Sequence, residues 1–247
     1  MKIIFNADDF GFSKGANLGI LDAHLHGIVT STTLMANMPA FDHAIKIYNQ
    51  LETLHVGVHL VLTLGKALGG KYNTITDAEG NFFGKEELVD RAQKGAVNLK
   101  EVEKEFSLQI DKIKDAGVSI THIDGHNHAH CLPGIMDISL ELALKHGVGI
   151  RLLDRSVRKG KYASIKSVNF SREFSGNNVS EDDLIRLISE CKEDTEFMCH
   201  PAYIDTFLHE NSANSINKAK ELDALTSQKV LEFIETNNIQ FSNYRVI

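Results

Sequence analysis

The chain has 247 residues, 43% of them hydrophobic, and a formal net charge of −7. This acidic balance argues against a nucleic-acid-binding protein, because the neutralisation of phosphates requires a basic surface. The three cysteines lack a Cys-x-x-Cys spacing, which argues against a disulfide framework or a thiolate zinc site and favours a reducing cytoplasm.

The length favours a single domain over residues 1–247, with room for one large core. The apolar stretch at the start is too short for a signal peptide, and no stretch reaches the ~20 apolar residues of a membrane-spanning helix. We therefore expect a cytoplasmic protein whose partner is small and either neutral or bridged by a metal, without a nucleic-acid or membrane partner, and we leave a homodimer open.

The first predicted strand, residues 2–6, delivers two adjacent carboxylates, Asp8 and Asp9, to the loop at its end. An Asp-Asp pair is often only a polar turn that caps the next helix. Its position at the carboxyl end of a strand favours a functional role here, because a cluster of histidines also follows a later strand. The pattern then predicts a helix over 14–26, a strand over 29–35 and a helix over 40–51.

The third predicted strand, residues 55–62, carries His59 among apolar neighbours. A histidine in a strand is usually a core residue, but the other polar groups at strand ends favour a ligand. Residues 63–84 lack periodicity and contain several glycines, which predicts a lid or a substrate wall, with a disordered insertion as the alternative. Amphipathic helices follow at 85–94 and 99–116.

Residues 121–130 contain four histidines and an aspartate. They lie between a predicted strand that ends at 118–120 and a predicted helix over 135–146. That position is the carboxyl end of a strand, where ligands collect in α/β folds. Because neutral imidazole is the commonest metal ligand, we favour a metal or catalytic site over a solvated turn.

The next predicted strand, residues 148–153, carries Arg151, which could pair with a carboxylate at the rim or face solvent at an edge. No element is predicted over 154–179. A further strand over 196–203 has His200 near its end, where Pro201 enforces an extended exit. The remaining predicted elements are a helix that begins at Ser180, a helix over 226–237 and a strand over 239–244.

This alternation predicts an α/β fold, a distorted, TIM-barrel-like (β/α) barrel with about seven parallel strands. Two histidines and one aspartate around a divalent ion would leave coordination positions open for water and substrate. Such an ion lowers the pKa of water to about 7 and polarises a carbonyl, which suits hydrolysis of an amide or ester. A second carboxylate could accept a proton and another histidine could donate one. The residues expected at the carboxyl rim are Asp8, Asp9, His59, His126, His128 and His200.

Four motifs in order resemble the YdjC-like carbohydrate deacetylase family, which includes the chito-oligosaccharide deacetylases. The resemblance covers nearly the whole chain, and it implies a distorted barrel with a metal held by Asp9, His59 and His126. By the same resemblance, Asp8 is the general base and His200 the candidate acid. The motifs are Asn-Ala-Asp-Asp-Phe-Gly at 6–11, Gly-Val-His-Leu at 57–60, Thr-His-Ile-Asp-Gly-His-Asn-His at 121–128 and Met-Cys-His-Pro at 198–201.

The family implies that the protein is an enzyme that removes acetyl groups from amino sugars, in short chito-oligosaccharides such as diacetylchitobiose, free or phosphorylated. We expect one divalent ion, with Zn²⁺ first and Mg²⁺ as the alternative. Two further functions remain as alternatives, a metal-dependent phosphoesterase and a non-catalytic sugar- or metal-binding protein.

We assign His128, Arg151 and Tyr203 to substrate binding, with the alternative that His128 replaces His126 as a metal ligand. Two positions depart from the family motifs. Ala202 stands where such motifs usually have Gly, and Lys218 stands where an Arg commonly precedes Glu-Leu. We expect both departures to affect the substrate pocket rather than the metal ligands.

Overall fold

The computed structural model describes residues 2–247. In this part of the chain, seven strands form one sheet in the order β5-β4-β3-β2-β1-β7-β6, and every pair of neighbours is parallel. The prediction of an α/β barrel-like fold with about seven parallel strands is confirmed. The strands are β1 (Ile3–Phe10), β2 (Ser31–Leu34), β3 (His55–Leu60), β4 (His122–Gly125), β5 (Gly149–Ile150), β6 (Asn169–Ser171) and β7 (Thr195–Cys199).

Helices return the chain between most strands, as a parallel sheet requires. Within residues 2–247 they are α1 (Lys14–Leu25), α2 (Phe41–Tyr48), α3 (Lys85–Gln93), α4 (Leu99–Asp115), α5 (Ile135–His146), α6 (Glu181–Glu190), α7 (Thr206–Asn211), α8 (Ser215–Leu225) and α9 (Gln228–Thr236). Among these residues, no helix combines the length and the apolar character needed to cross a membrane.

The sheet curls into a barrel that strand pairing leaves open between its two edges, β5 and β6. One hydrogen bond reaches across this opening, from the Ile150 backbone N–H to the Lys166 carbonyl at 2.9 Å. Lys166 lies just before β6, so the two edges approach each other without pairing directly. The curled sheet therefore encloses an interior, and the carboxyl ends of its strands meet around one opening.

The strands other than the edge strand β6 are almost entirely buried, because packed side chains cover both faces of a sheet of this kind. Every residue of β1 is buried, and Phe5 stacks on Phe197 of β7 with ring centroids 5.2 Å apart. Burial of each such side chain contributes about 1.5–3 kcal/mol relative to exposure. This packing fixes the register of β1 against β7, and with it the position of the polar residues at their ends.

Several predicted boundaries were wrong. The histidine cluster starts inside β4 with His122 rather than after a strand that ends at 118–120. The predicted strand over 239–244 does not form, and only Phe241 pairs there, with Ile3. The sheet still has seven strands, because β6 forms in the stretch 154–179, where the sequence indicated no element. The helices α7 and α8 were not predicted from the sequence pattern.

Residues 63–84 form an ordered segment that hydrogen bonds hold against the barrel, rather than a disordered insertion. Short antiparallel bridges pair Lys66 with Asn81 and Thr76 with Phe82. Glu105 of α4 accepts hydrogen bonds from the Leu68 and Gly69 backbone N–H groups at 3.0 and 2.9 Å. Of this segment, Thr63 and Leu64 line the pocket at the carboxyl end of the barrel.

Candidate active site

A pocket of about 470 Å³ opens at the carboxyl end of the barrel. The structure brings all six residues expected at the rim into its lining. They come from four different strands, because β1, β3, β4 and β7 all end at this opening. These residues are Asp8, Asp9, His59, His126, His128 and His200.

Asp9, His59 and His126 form a candidate metal centre. Asp9 Oδ1 lies 3.4 Å from His59 Nε2 and 3.1 Å from His126 Nδ1, and one ligand atom from each residue lies within 4.8 Å of the others. A tetrahedral ion with ligands at about 2.0–2.1 Å separates its ligand atoms by about 3.3 Å. The three residues therefore fit a single divalent ion, and three protein ligands leave a position free for water or substrate.

An irregularity in β1 brings two consecutive carboxylates to the same pocket. Successive side chains of a regular strand point to opposite faces of a sheet. Here the pairing of β1 with β2 shifts register between Ala7 and Phe10, and Asp9 has a positive φ of 69°. A positive φ costs a non-glycine residue free energy, of order 1–3 kcal/mol, and such conformations concentrate at functional sites. The bend turns Asp9 to the side of the strand that Asp8 faces.

His59 is held in place by a buried carboxylate. Its Nδ1 lies 2.7 Å from Asp124 Oδ1, and Thr33 Oγ1 donates to Asp124 Oδ2 at 3.0 Å. Burial lowers the pKa of His59, but the charge and hydrogen bond of Asp124 outweigh it and raise the pKa to about 10. This contact leaves the other ring nitrogen, Nε2, directed at Asp9. Metal-binding histidines are commonly oriented in this way by a carboxylate that bonds the nitrogen not used for the metal.

Asp8 is paired with a buried guanidinium. Arg151 Nη1 and Nη2 donate to Asp8 Oδ2 and Oδ1, both at 2.6 Å, and Asn6 Nδ2 donates to Oδ1 at 2.9 Å. Burial raises the pKa of Asp8, while the Arg151 charge acts against it and holds that pKa well below its usual range. Asp8 is therefore an ionised acceptor that borders the pocket beside the candidate metal ligands.

Two residues assigned to substrate binding lie elsewhere. Arg151 is fully buried and does not line the pocket, because Asp8 and Glu196 hold its guanidinium inside the barrel. Tyr203 is 48% exposed on the outside of the barrel, where its hydroxyl donates to Asp22 of α1. Pro201 carries the chain outward before Tyr203, so these two assignments are corrected.

His200 directly follows β7, which three strands separate from β4 in the sheet. Its backbone N–H donates to Glu221 Oε2, and its Nδ1 lies 3.6 Å from the same oxygen. The side chain is 22% exposed, so one face of the imidazole remains open to the pocket. An imidazole that lines the pocket is a side chain that can donate a proton to a leaving group.

The loop after β4 adopts a left-handed turn. Asn127 and His128 have φ values of 53° and 56°, and Asn127 Nδ2 donates to Thr63 Oγ1 at 3.1 Å. The turn brings His126 beside Asp9 and directs His128 elsewhere, with its ring 5.3 Å from that of Phe170. Burial and the Arg151 charge lower the pKa of His128 to about 3, so it lines the pocket as a neutral imidazole.

Comparison with known proteins supports the resemblance found in the motifs. Residues 2–236 match the family described as YdjC-like protein. The chain belongs to the YdjC-like family. A carbohydrate deacetylase of Clostridium beijerinckii is 37% identical over 251 residues, which cover 100% of both chains.

Solved structures agree with the fold. A candidate cellobiose-phosphate cleavage protein of Enterococcus faecalis superposes on this YdjC-like chain with a TM-score of 0.87 and 31% identity, covering 99% of this chain and 98% of the other. The family 4 carbohydrate esterase of Streptomyces lividans, solved with acetate, is only 11% identical and has a TM-score of 0.56, with 98% and 92% coverage. That second likeness shows a shared fold alone.

Lys218 was expected to affect only the substrate pocket of this YdjC-like protein, and that expectation was wrong. Its Nζ lies 2.7 Å from Asp9 Oδ2, so it contacts a candidate metal ligand directly. The ion pair occupies one oxygen of Asp9 and leaves Oδ1 facing the two histidines. Lys218 and Glu221 are three residues apart on α8, which places both on one face of that helix. The spacing was visible in the sequence, but α8 itself was not predicted.

Proposed function

We propose that this YdjC-like protein hydrolyses the acetamide of N-acetylated amino sugars with the help of one divalent ion. The observation that carries the proposal is the arrangement of Asp9, His59 and His126 at ligand distances, with Asp8 and His200 lining the same pocket. The relatives named carbohydrate deacetylase support the sugar substrate.

An ion held by these three residues would act as a Lewis acid toward water and toward an amide carbonyl. We favour Zn²⁺ over Mg²⁺, because two imidazoles and one carboxylate suit zinc or another transition metal better than a hard oxygen-seeking ion.

The roles of the protein groups follow from their surroundings. Asp8 is ionised and borders the pocket, so it can accept a proton from the attacking water. The two hydrogen bonds from Arg151 hold the Asp8 carboxylate in a fixed orientation. His200, backed by Glu221, can donate a proton to the departing nitrogen, which would otherwise leave as a poor anionic leaving group. Acetate and a free amino sugar result.

The pocket is suited to a small polar substrate. Its volume of about 470 Å³ lies within the ~300–1,000 Å³ of small-molecule sites. The amide side chains of Asn211, Asn214 and Asn217 can meet sugar hydroxyls, and Lys85 and Arg172 bring positive charge that would favour a phosphorylated sugar. We therefore propose a short chito-oligosaccharide such as diacetylchitobiose, free or phosphorylated.

A two-metal phosphoesterase is disfavoured by the same geometry. Two other clusters could hold a second ion, and their carboxylates are those of Asp8, Asp124 and Glu196. All three contact the Arg151 guanidinium at 2.5–3.0 Å. A positive side chain therefore occupies the place that a second cation would need.

Acetate release tests the proposal. The purified protein is incubated with Zn²⁺ or Mg²⁺ and a panel of mono- and oligosaccharides of N-acetylglucosamine, free and phosphorylated. We expect acetate and a free amine from the short oligosaccharides. If no member of the panel releases acetate with any divalent ion, the deacetylase proposal fails and a binding function takes its place.

A further inference from the structure

The segment after α9 closes the end of the barrel that lies opposite the pocket. Phe241 pairs with Ile3, and the Ser242 N–H donates to the Ile3 carbonyl at 2.7 Å. The Thr30 hydroxyl donates to the Ser242 carbonyl at 2.6 Å. These contacts are with the starts of strands, so the segment seals the amino end. With the segment held in this position, the side chain of Tyr244 lies in the barrel interior and is only 1% exposed.

Two strand glycines make room for the Tyr244 ring. The ring stacks on His122 with centroids 4.0 Å apart and an angle of 4° between the planes. A Cβ at Gly149 would lie 2.4 Å from Tyr244 Cδ1, and a Cβ at Gly57 would lie 2.5 Å from His122 Nδ1. Real Cβ atoms do not approach other atoms so closely. The stacked rings of Tyr244 and His122 therefore fit only while positions 57 and 149 are glycine. Stacking alone would be served equally well by phenylalanine.

The hydroxyl of Tyr244 begins a line of hydrogen bonds that ends at Asp8. Tyr244 Oη donates to Glu196 Oε2 at 2.5 Å, and Arg151 Nε donates to Glu196 Oε1 at 2.8 Å. The same guanidinium then holds Asp8 through two bonds of 2.6 Å. All four side chains are at most 3% exposed, so water does not substitute readily for any of these contacts.

We propose that Tyr244 is a positioning residue for Asp8 and acts through Glu196 and Arg151. This inference rests on the proposed function, in which Asp8 is the base. Without the phenol O–H, Glu196 Oε2 becomes a buried acceptor that has lost its donor. The Glu196 carboxylate can reach another donor only by rotating. Because its Oε1 accepts hydrogen bonds from Arg151, this rotation would also move the Arg151 guanidinium. Burial and the Glu196 charge raise the pKa of Tyr244 well above its usual value, so the phenol remains a donor.

The test compares two Tyr→Phe substitutions in the full chain. Tyr244→Phe keeps the ring and its stacking and removes one O–H donor. We expect kcat for acetate release to fall about tenfold, with KM and bound metal unchanged, since small displacements of catalytic groups cost up to ~10²-fold. Tyr162→Phe is the matched control, because Tyr162 donates to Glu141 at 2.5 Å on the surface, far from the pocket. Its kcat should equal that of the wild type.

Two further readouts separate positioning from a general loss of structure. If Tyr244 acts through Glu196, the double variant Tyr244→Phe/Glu196→Gln should be no slower than Glu196→Gln alone. Crystal structures should show the Arg151–Asp8 contacts lengthened in Tyr244→Phe and intact in Tyr162→Phe. An unchanged kcat, multiplicative losses in the double variant, or unchanged Arg151–Asp8 contacts would overturn the inference. If the wild type releases no acetate, the proposed function fails, and the Arg151–Asp8 geometry alone then decides whether Tyr244 positions Asp8.

Discussion

The two adjacent carboxylates of β1 have different partners, and this difference assigns them different chemistry. Asp8 is bound by Arg151 in a bidentate pair, whereas Asp9 shares its oxygens between Lys218 and the two histidines. A carboxylate that faces two imidazoles is suited to metal binding. The neighbour that pairs with Arg151 and borders the same pocket is suited to proton transfer.

Replacement of Asp8 by asparagine tests the assigned base. Asn keeps the size of the side chain and an oxygen for Arg151, but it does not accept a proton. We expect Asp8→Asn to bind metal normally and to lose ~10²–10⁴-fold in kcat, the usual cost of a lost proton-transfer group. Asp182→Asn, at a carboxylate that is 81% exposed, is the control. An Asp8→Asn protein as active as the control would refute the assignment of the base.

The raised pKa of His59 predicts how metal affinity depends on pH. In the metal-free protein the pKa is raised to about 10 by Asp124, so an incoming ion must displace a proton at neutral pH. Metal affinity should therefore rise about tenfold for each pH unit between pH 7 and 9, as one competing proton is lost.

Asp124→Asn provides the comparison. It removes the largest of the charges that raise the His59 pKa, while Asp9 and Asp8 remain. The pKa of His59 should therefore fall, and the metal affinity should rise less steeply with pH than in the wild type. Competition titrations of Zn²⁺ at several pH values measure both slopes. Equal slopes in the two proteins would show that Asp124 does not control the protonation of His59.

At the level of elements, α4 determines the shape of one pocket wall. Glu105 is fully buried and accepts from two backbone N–H groups, from Tyr72 Oη at 3.2 Å and from Gln109 Nε2 at 2.8 Å. Gln109 in turn bonds both polar backbone groups of Val61, at the end of β3. The helix therefore ties residues 63–84 to the barrel beside His59.

Removal of Glu105 should loosen this wall. Tyr72 Oη and Gln109 Nε2 are the two buried side-chain donors that would lose this partner. Each buried donor left without a partner costs ~1–3 kcal/mol, so we expect Glu105→Ala to destabilise the protein by about 2–6 kcal/mol. Amide hydrogen exchange should accelerate at Leu68 and Gly69 first. Glu103→Ala, at an exposed site on the same helix, is the matched control. Equal exchange rates in the two variants would contradict the role of Glu105.

At the scale of the whole molecule, the candidate ion would join β1, β3 and the turn after β4. These parts are far apart in the chain, and the ligand atoms come together only in the folded barrel. An ion that binds only the folded state stabilises it by about 2.7 kcal/mol at a free concentration one hundred times its Kd.

Thermal unfolding measures this linkage. We expect Tm to rise by several degrees when Zn²⁺ is added to metal-free protein and to fall again with a chelator. His126→Ala should lose this rise, whereas His26→Ala, at an exposed histidine of the surface, should keep it. A rise of the same size in both variants would place the ion elsewhere.

The sequence by itself determined the fold class and the polar residues at the strand ends. Short apolar runs that stop at Asp8, His59 and His200 are local patterns, and a parallel sheet brings the ends of such runs to one rim. The order of the motifs added the family. These features are local or ordered along the chain, so they remain visible without coordinates.

The tertiary structure alone decided the partners of those residues. Arg151 contacts Asp8 across 143 positions of sequence, and Lys218 contacts Asp9 across 209. Local patterns did not show whether Arg151 faces solvent, substrate or the barrel interior, because that depends on how far the sheet curls. The bulge at Asp9 and the left-handed turn at His128 likewise arise from the packing around them, and they determine which side chains can share one ion.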